Sequence, residues 1–386
     1  MSASVIIGLG YGDEGKGLVT SYLCSQKPNP IVVRFSGGHQ AGHTVVRDGK
    51  RHVFSSFGAG TLQHVPTVWS HYCTFSPVAF MNEWHILKKM LDQAPRIYVH
   101  ALCPVTTPYD IYFNRVAEES VKSFGSVGVG FGATHQRHES FFKLHVQDLF
   151  YDNILHQKLK HISEYYGYKE IFDADNAYSL GYFVGCVREL RKKIVVINSY
   201  DFLSGYDPVF EGSQGIMLDQ DFGFFPNVTR SHTTSRNALS IYPGIKDVYY
   251  VTRTYQTRHG KGYMTNEDQP PLELLNNLNE TNREDKYQGK FRITPLDIDL
   301  LNYALECDYN YSSMAGKNLV ITCADQTDHE FPVTINGVVQ MTTAKKLPAL
   351  IKATFKRTYI SYGDSSEDLQ INMSYFPAEN NLSPSK

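Results

Sequence analysis

Short apolar runs recur along the chain at 5–7, 31–35, 97–101, 194–197, 248–252 and 319–322, each about the length of a buried strand. Apolar residues return at helical spacing between several of them, at 18–24, 77–91 and 139–151, which places one apolar face on each predicted helix. Apolar runs without polar alternation are what strands covered on both faces require. The two patterns together therefore predict an α/β fold, with a largely parallel central sheet and helices on both faces. No internal repeat is visible, and the polar stretches 265–271 and 276–290 are expected to be loops within a single domain spanning 1–375. Residues 376–386, with two prolines among Ser and Asn, are expected to form a flexible tail.

The first apolar run leads into Gly8-Leu9-Gly10-Tyr11-Gly12-Asp13-Glu14-Gly15-Lys16-Gly17, and a helical stretch follows. A strand, a glycine-rich turn and a helix start present backbone N–H groups and a lysine to phosphates. The spacing from Gly10 to Gly15-Lys16 is that of a P-loop, except that Gly17 stands where a P-loop has Ser or Thr for magnesium. Asp13, inside the loop, can supply that contact or abstract a proton. The second apolar run leads into another glycine-rich loop, Ser36-Gly37-Gly38-His39-Gln40-Ala41-Gly42-His43-Thr44. His39 and His43 have the spacing of a helical zinc pair, but the surrounding glycines argue against a helix there. A histidine beside phosphates serves better as a general acid toward a bridging oxygen.

These two loops, together with Phe210-Glu211-Gly212-Ser213-Gln214-Gly215 and the downstream Asp219, Asp221, Gly223, Pro226, Val228-Thr229 and Thr233-Thr234, resemble the adenylosuccinate synthetase family in order and spacing. Weaker matches at Thr257-Arg258, Leu296-Asp297, Thr322 with Asp325, and Ser361 with Gly363 carry the resemblance nearly end to end. The resemblance implies a P-loop-like α/β fold and a cytoplasmic homodimer. It also implies a GTP- and Mg²⁺-dependent ligase that phosphorylates the 6-oxygen of IMP and displaces that phosphate with the amine of L-aspartate. By the same resemblance Asp13 is the base, His43 the acid, Lys16 the phosphate cation and Gln214 the purine-orienting amide. The nucleoside triphosphate falls to Gly12, Glu14, Gly15, Lys16, Gly17, Gly42, His43, Thr44, Asp325, Ser361 and Gly363. The acceptor nucleotide falls to Asp13, Gln40, Ser126, Val127, Gln214, Thr229 and Arg258, aspartate to Gly289, Lys290 and Arg292, and magnesium to Asp13 and the Gly42 carbonyl.

Three positions depart from the family pattern. Val127 stands where the loop that grips the nucleotide 5′-phosphate has Thr, although Ser126 and the loop amides remain. Phe141 falls on the arginine that crosses the family's dimer, with Arg137, Lys143 and His145 as substitutes in reach along the chain. Cys323 replaces the lysine that packs on the guanine ring, while Asp325, which reads guanine, is kept, so GTP is preferred over ATP. Two alternatives accompany the main reading. One is a phage-type relative that aminates dGMP, a group expected to carry Ser in place of Asp13. The other is a non-catalytic nucleotide sensor, which would need Lys16 but neither a base nor an acid.

Composition agrees and narrows little. A chain of 386 residues, 42% hydrophobic, can bury a large core, and a net charge of −2 argues against a nucleic-acid binder. Six scattered cysteines without a CxxC pair read as reduced cytoplasmic thiols. No apolar run reaches the roughly 18 residues of a membrane span, and no basic leader is expected before the first strand.

Overall fold

The structure is a computed structural model that describes residues 2–119, 125–168, 179–278, 280, 282, 284 and 286–372; the tail expected at 376–386 lies outside the described residues. The first strand, β1 (Ala3–Gly8), runs into the glycine loop and α1 (Lys16–Gln26); β2 (Pro30–Arg34) follows, then a hairpin of β3 (His43–Arg47) and β4 (Lys50–Phe54). Next come β5 (Thr67–Trp69), α2 (Pro77–Met90), β6 (Ile97–His100), α3 (Pro108–Glu118), α4 (Phe131–Glu139), α5 (Asp152–Tyr166), α6 (Leu180–Leu190), β7 (Val195–Ile197) and β8 (Asp207–Gly215). The remainder is α7 (Arg236–Ile241), β9 (Ile245–Arg253), β10 (Tyr255–His259), β11 (Phe291–Asp297), α8 (Ile298–Ser312), β12 (Gly316–Thr322), β13 (Phe331–Ile335), β14 (Val338–Thr342), β15 (Arg357–Ser361) and β16 (Leu369–Ile371).

Ten strands form one sheet in the order β16-β15-β12-β9-β1-β8-β2-β5-β6-β7. Every neighbouring pair is parallel except β15 with β16. Both faces are covered, as the unbroken apolar runs predict. In β1, Val5 and Ile7 pack with Ala238, Leu301 and Ala304 of α7 and α8, whereas Ile6 packs on the opposite face with Leu18, Val19 and Leu23 of α1.

Two elements differ from the sequence reading. The helix expected over 139–151 is instead the end of α4, an irregular segment, and a short 3-10 helix at Val146–Phe150. The chain breaks helix at Phe141, whose φ is 69°, and the 3-10 turn is capped separately by Asp148 Oδ2, which accepts from the His145 amide at 2.8 Å. Leu144, Val146 and Leu149 are buried from this irregular chain, so apolar spacing arose without a helix. Conversely, β8 lies at the centre of the sheet, paired with both β1 and β2, yet its sequence shows only Val209-Phe210 as apolar neighbours. Its C-terminal half carries Glu211, Ser213 and Gln214 instead of strand formers.

Parallel strands aim their carboxyl ends at one edge, and the ends of β1, β2, β8, β9, β12 and β15 open onto a common cavity there.

Candidate active site

The loop after β1 is shaped from within by Glu14. Its Oε1 accepts from the amides of Gly10 (3.0 Å) and Gly12 (2.9 Å), and its Oε2 accepts from Lys16 Nζ at 2.5 Å. Burial alone would raise the Glu14 carboxyl, but Lys16 and the Gly12 amide outweigh it and hold it below its ordinary value. Glu14 therefore braces the loop from the inner side, and its side chain is absent from the cavity wall that Gly12, Asp13, Gly15, Lys16 and Gly17 form. Lys16, 2% exposed, begins α1 already oriented, with Glu14 as its partner. Gly17 has a steric reason. A Cβ there would lie 2.9 Å from His43 Cβ and 3.2 Å from the Thr44 carbonyl, so the hydroxyl residue of a P-loop cannot fit.

That close approach brings β3 across α1 and sets His43 into the cavity wall. Its Nδ1 lies 2.7 Å from Glu211 Oε1, and Glu211 is fully buried on β8. The Ala59 amide donates to the other carboxylate oxygen at 3.2 Å. Burial would raise the Glu211 carboxyl, but His43 and Arg34 overcome that and hold it low. An ionised carboxylate at Nδ1 fixes the tautomer with the proton on that nitrogen and supports the imidazolium. Nε2 is then the nitrogen left open; it is buried and has no partner among the described residues.

Asp13 sits at left-handed φ 62° with its side chain 27% exposed, and its Oδ2 lies 3.6 Å from His259 Nε2. Burial pushes its carboxyl above the ordinary range, against the pull of His259, Arg253 and Lys16. Arg253, at the end of β9, fixes the loop by donating from Nε to the Asp13 carbonyl at 2.6 Å. Gln214 Oε1 and both amide atoms of Gln40, on the same cavity wall, are buried and have no partner among the described residues; the same holds for His39 Nδ1, which is not on that wall. Burial lowers His39 to about 4, so that ring is neutral near pH 7. Three side chains on the cavity wall, Gln40, His43 and Gln214, thus carry buried hydrogen-bonding atoms without a partner among the described residues.

The cavity holds about 460 Å³ and runs from these groups to a second end lined by Thr322, Cys323, Asp325, Gln326, Gly363 and Asp364. Asp325 Oδ2 accepts from the Asn276 amide at 2.8 Å, and Arg51 reaches Asp364 at 2.8 Å. Ser361 is fully buried and turns inward, donating to the Gly363 carbonyl at 2.9 Å, so it shapes this end without lining it.

Of the residues singled out in the sequence, Gly12, Asp13, Gly15, Lys16, Gly17, Gln40, Gly42, His43, Thr44, Val127, Gln214, Asp325 and Gly363 come together on this one cavity. Ser126, Thr229, Arg258, Gly289, Lys290 and Arg292 are not on its wall. Arg258 is buried and donates to three carbonyls, of Lys261, Tyr263 and Asn227, which makes it a brace for the turn after β10. Arg292 is engaged by Glu267 Oε1 at 2.6 Å and the Gly262 carbonyl at 2.9 Å. Arg137 cannot substitute for the missing inter-subunit arginine. It is fully buried and bidentate to Asp110, at 2.8 and 2.9 Å, a pair whose breakage costs about 3–5 kcal/mol. The sequence reading gave no role to Glu211, Arg253, His259 or Gln288, although all but Glu211 line the cavity. Glu211 was visible only as part of its motif.

The donor set of Asp13 carboxylate and Gly42 carbonyl consists of hard oxygens on the cavity wall, which suits Mg²⁺. A second group, Asp219, Asp221 and His232, brings ligand atoms within 4.8 Å of one another. Asp219 there accepts from the amides of Thr233 and Asp221, and Asp221 pairs with His232 at 3.3 Å, so these atoms already serve the loop.

A family model described as adenylosuccinate synthetase matches residues 5–355. A curated protein named adenylosuccinate synthetase from Marinomonas sp. (strain MWYL1) is 32% identical over 275 residues, covering 67% of this chain and 63% of that protein. The matched stretch thus spans less than two thirds of that relative. Among solved structures, the fully ligated adenylosuccinate synthetase of Plasmodium falciparum superposes with a TM-score of 0.76 at 20% identity, covering 96% of this chain and all of that one. The succinoaminodeoxyadenylate synthetase of cyanophage S-2L, bound to dGMP and to dATP as an energy donor, gives a TM-score of 0.65 at 17% identity, covering 96% of this chain and 95% of that one. At these identities both likenesses concern the fold. Among the described residues, no helix is long and apolar enough to cross a membrane.

Proposed function

The chain belongs to the adenylosuccinate synthetase family, and from that premise we propose that it joins L-aspartate to C6 of a 6-oxopurine nucleotide, IMP first, at the expense of GTP. The observation that carries this reading is the convergence of a carboxylate of raised pKa, a carboxylate-supported histidine, a buried lysine and an unpaired glutamine on one cavity. Asp13 takes the N1 proton of the purine while Gln214 holds the ring, and the 6-oxygen becomes the nucleophile toward the γ-phosphorus. Lys16 leaves Glu14 to meet the phosphoryl oxygens, and His43 donates its Nε2 proton to the departing β,γ-bridging oxygen. The aspartate amine then attacks C6, and phosphate leaves with the former purine oxygen. Asp13 and the Gly42 carbonyl would hold Mg²⁺, which when bound neutralises charge on the transferred phosphoryl group.

Asp325 supports guanine as the base of the energy donor, since a carboxylate accepts from adjacent ring and exocyclic N–H groups. The carboxylates of aspartate fall to Lys290 and Arg292, which requires Arg292 to leave Glu267 when the amino acid binds. A cytoplasmic homodimer completes the proposal, with no nucleic acid or membrane partner.

The test is mass spectrometry of reactions holding IMP, dIMP, GMP or dGMP with aspartate, Mg²⁺ and either GTP or ATP. GDP, phosphate and a succinyl-amino purine nucleotide should appear, with IMP preferred over dIMP by less than about 10²-fold in kcat/KM, as expected where no arginine reads the ribose hydroxyl. Preference for dGMP would transfer the protein to the phage-type reaction. Normal GTP binding with no adduct from any pair would leave only a nucleotide sensor.

A further inference from the structure

The loop after β1 is tied to β10 at three successive residues. The Arg258 guanidinium lies over the Tyr11 ring at 4.5 Å, the Thr257 hydroxyl donates to the Gly12 carbonyl at 3.4 Å, and His259 Nε2 stands 3.6 Å from Asp13 Oδ2. The His259 ring is also held across the sheet, where β10 pairs it with Phe291 and the two ring centroids pack 4.7 Å apart. Its side chain is 13% exposed on the cavity wall, and Nδ1 is buried with no partner among the described residues. The ring nitrogen that faces a carboxylate oxygen carries the N–H, so the open Nδ1 is the unprotonated one. The gap between Nε2 and Oδ2 is longer than a hydrogen bond, yet no atom fits between them.

We propose that His259 selects the acceptor base by confronting its carbon 2: a 6-oxopurine with hydrogen there is admitted, and one with a 2-amino group is rejected. This rests on the reading of Asp13 as the base toward N1 and names the residue that sets acceptor choice at that site. N1 lies between C6 and C2. With the 6-oxygen turned toward Lys16 and His43, as phosphoryl transfer requires, C2 falls on the other flank of N1, where His259 faces Asp13. A 2-amino group beside N1 would reach for the second carboxylate oxygen and meet the imidazole N–H, donor against donor. Asp325 also has an N–H on one oxygen, but its partner Asn276 is an exposed loop side chain that can turn away, whereas the His259 ring is held by its packing on Phe291.

Binding of IMP and of GMP to the wild-type chain, His259→Ala and His259→Leu is measured by calorimetry with a saturating non-hydrolysable GTP analogue, which keeps GMP out of the Asp325 end of the cavity. The wild-type chain should bind IMP at least about tenfold more tightly than GMP, the range expected where one buried donor opposes another. Both variants should tighten GMP by about fivefold or more and change IMP by less than about threefold. Equal binding of the two nucleotides by the wild-type chain, or variants that weaken both alike, overturns the proposal. A second comparison needs no variant: GMP methylated on its 2-amino nitrogen should bind the wild-type chain more weakly still, and affinity equal to that of GMP contradicts a confrontation at carbon 2. A wild-type chain that binds neither IMP nor GMP overturns the acceptor reading and this inference with it, whereas equal binding of both overturns this inference alone.

Discussion

Asp13→Asn should bind GTP within a few-fold of wild type and turn over about 10⁴-fold more slowly or worse, since the base and a magnesium oxygen disappear with one atom change. The backbone supports the first half of that expectation. Asn tolerates the left-handed φ of 62°, and the anchoring bond from Arg253 goes to the carbonyl, which the substitution leaves in place. The pH profile of the wild-type enzyme gives a second check. A base works only when unprotonated, and burial raises the Asp13 carboxyl, so kcat/KM should fall on the acid side above the ordinary carboxylate range. Near-normal turnover in Asp13→Asn would remove the base assignment.

His43→Ala should lose about 10²- to 10⁴-fold in kcat, the usual contribution of a positioned acid, with the KM for the acceptor nearly unchanged. The cavity predicts a companion effect at Glu211, whose substitution leaves His43 present. Glu211→Gln presents an amide to both His43 Nδ1 and the Ala59 amide; one of the two contacts then sets donor against donor, or the ring turns to the wrong tautomer. Its kcat should fall in the same direction, and the double variant should be no worse than His43→Ala alone, because Glu211 acts through the histidine. Additive losses would show that Glu211 has a separate task.

The central strands and the phosphate loop were legible because they rest on local signals: unbroken apolar runs, a glycine-rich turn and a lysine at the helix start. Strand β8 was legible only as a motif, since its end carries polar residues whose burial is secured by partners far along the chain, Arg34, His43 and Ala59 among them. The same long-range pairing hid Glu211. The bonding of Arg258 and Arg137 was hidden for the opposite reason: a buried arginine bound to carbonyls or to a carboxylate looks, in a sequence, like one waiting for a ligand. Periodicity failed at 139–151 because an irregular segment buried Leu144, Val146 and Leu149 at near-helical spacing. The inward turn of Glu14 had no sequence signal, for nothing in the motif distinguishes a side chain that binds phosphate from one that builds the loop.

The central claim is that the purine oxygen itself becomes the phosphorylated leaving group, and its fate is measured directly by running the reaction with IMP carrying a heavy oxygen isotope at the 6-position. The account predicts that the label is lost from the nucleotide product and appears in the released phosphate, one labelled phosphate for each adduct formed. Label found in water with unlabelled phosphate, or GTP cleavage that releases phosphate without label while adduct accumulates, would contradict it.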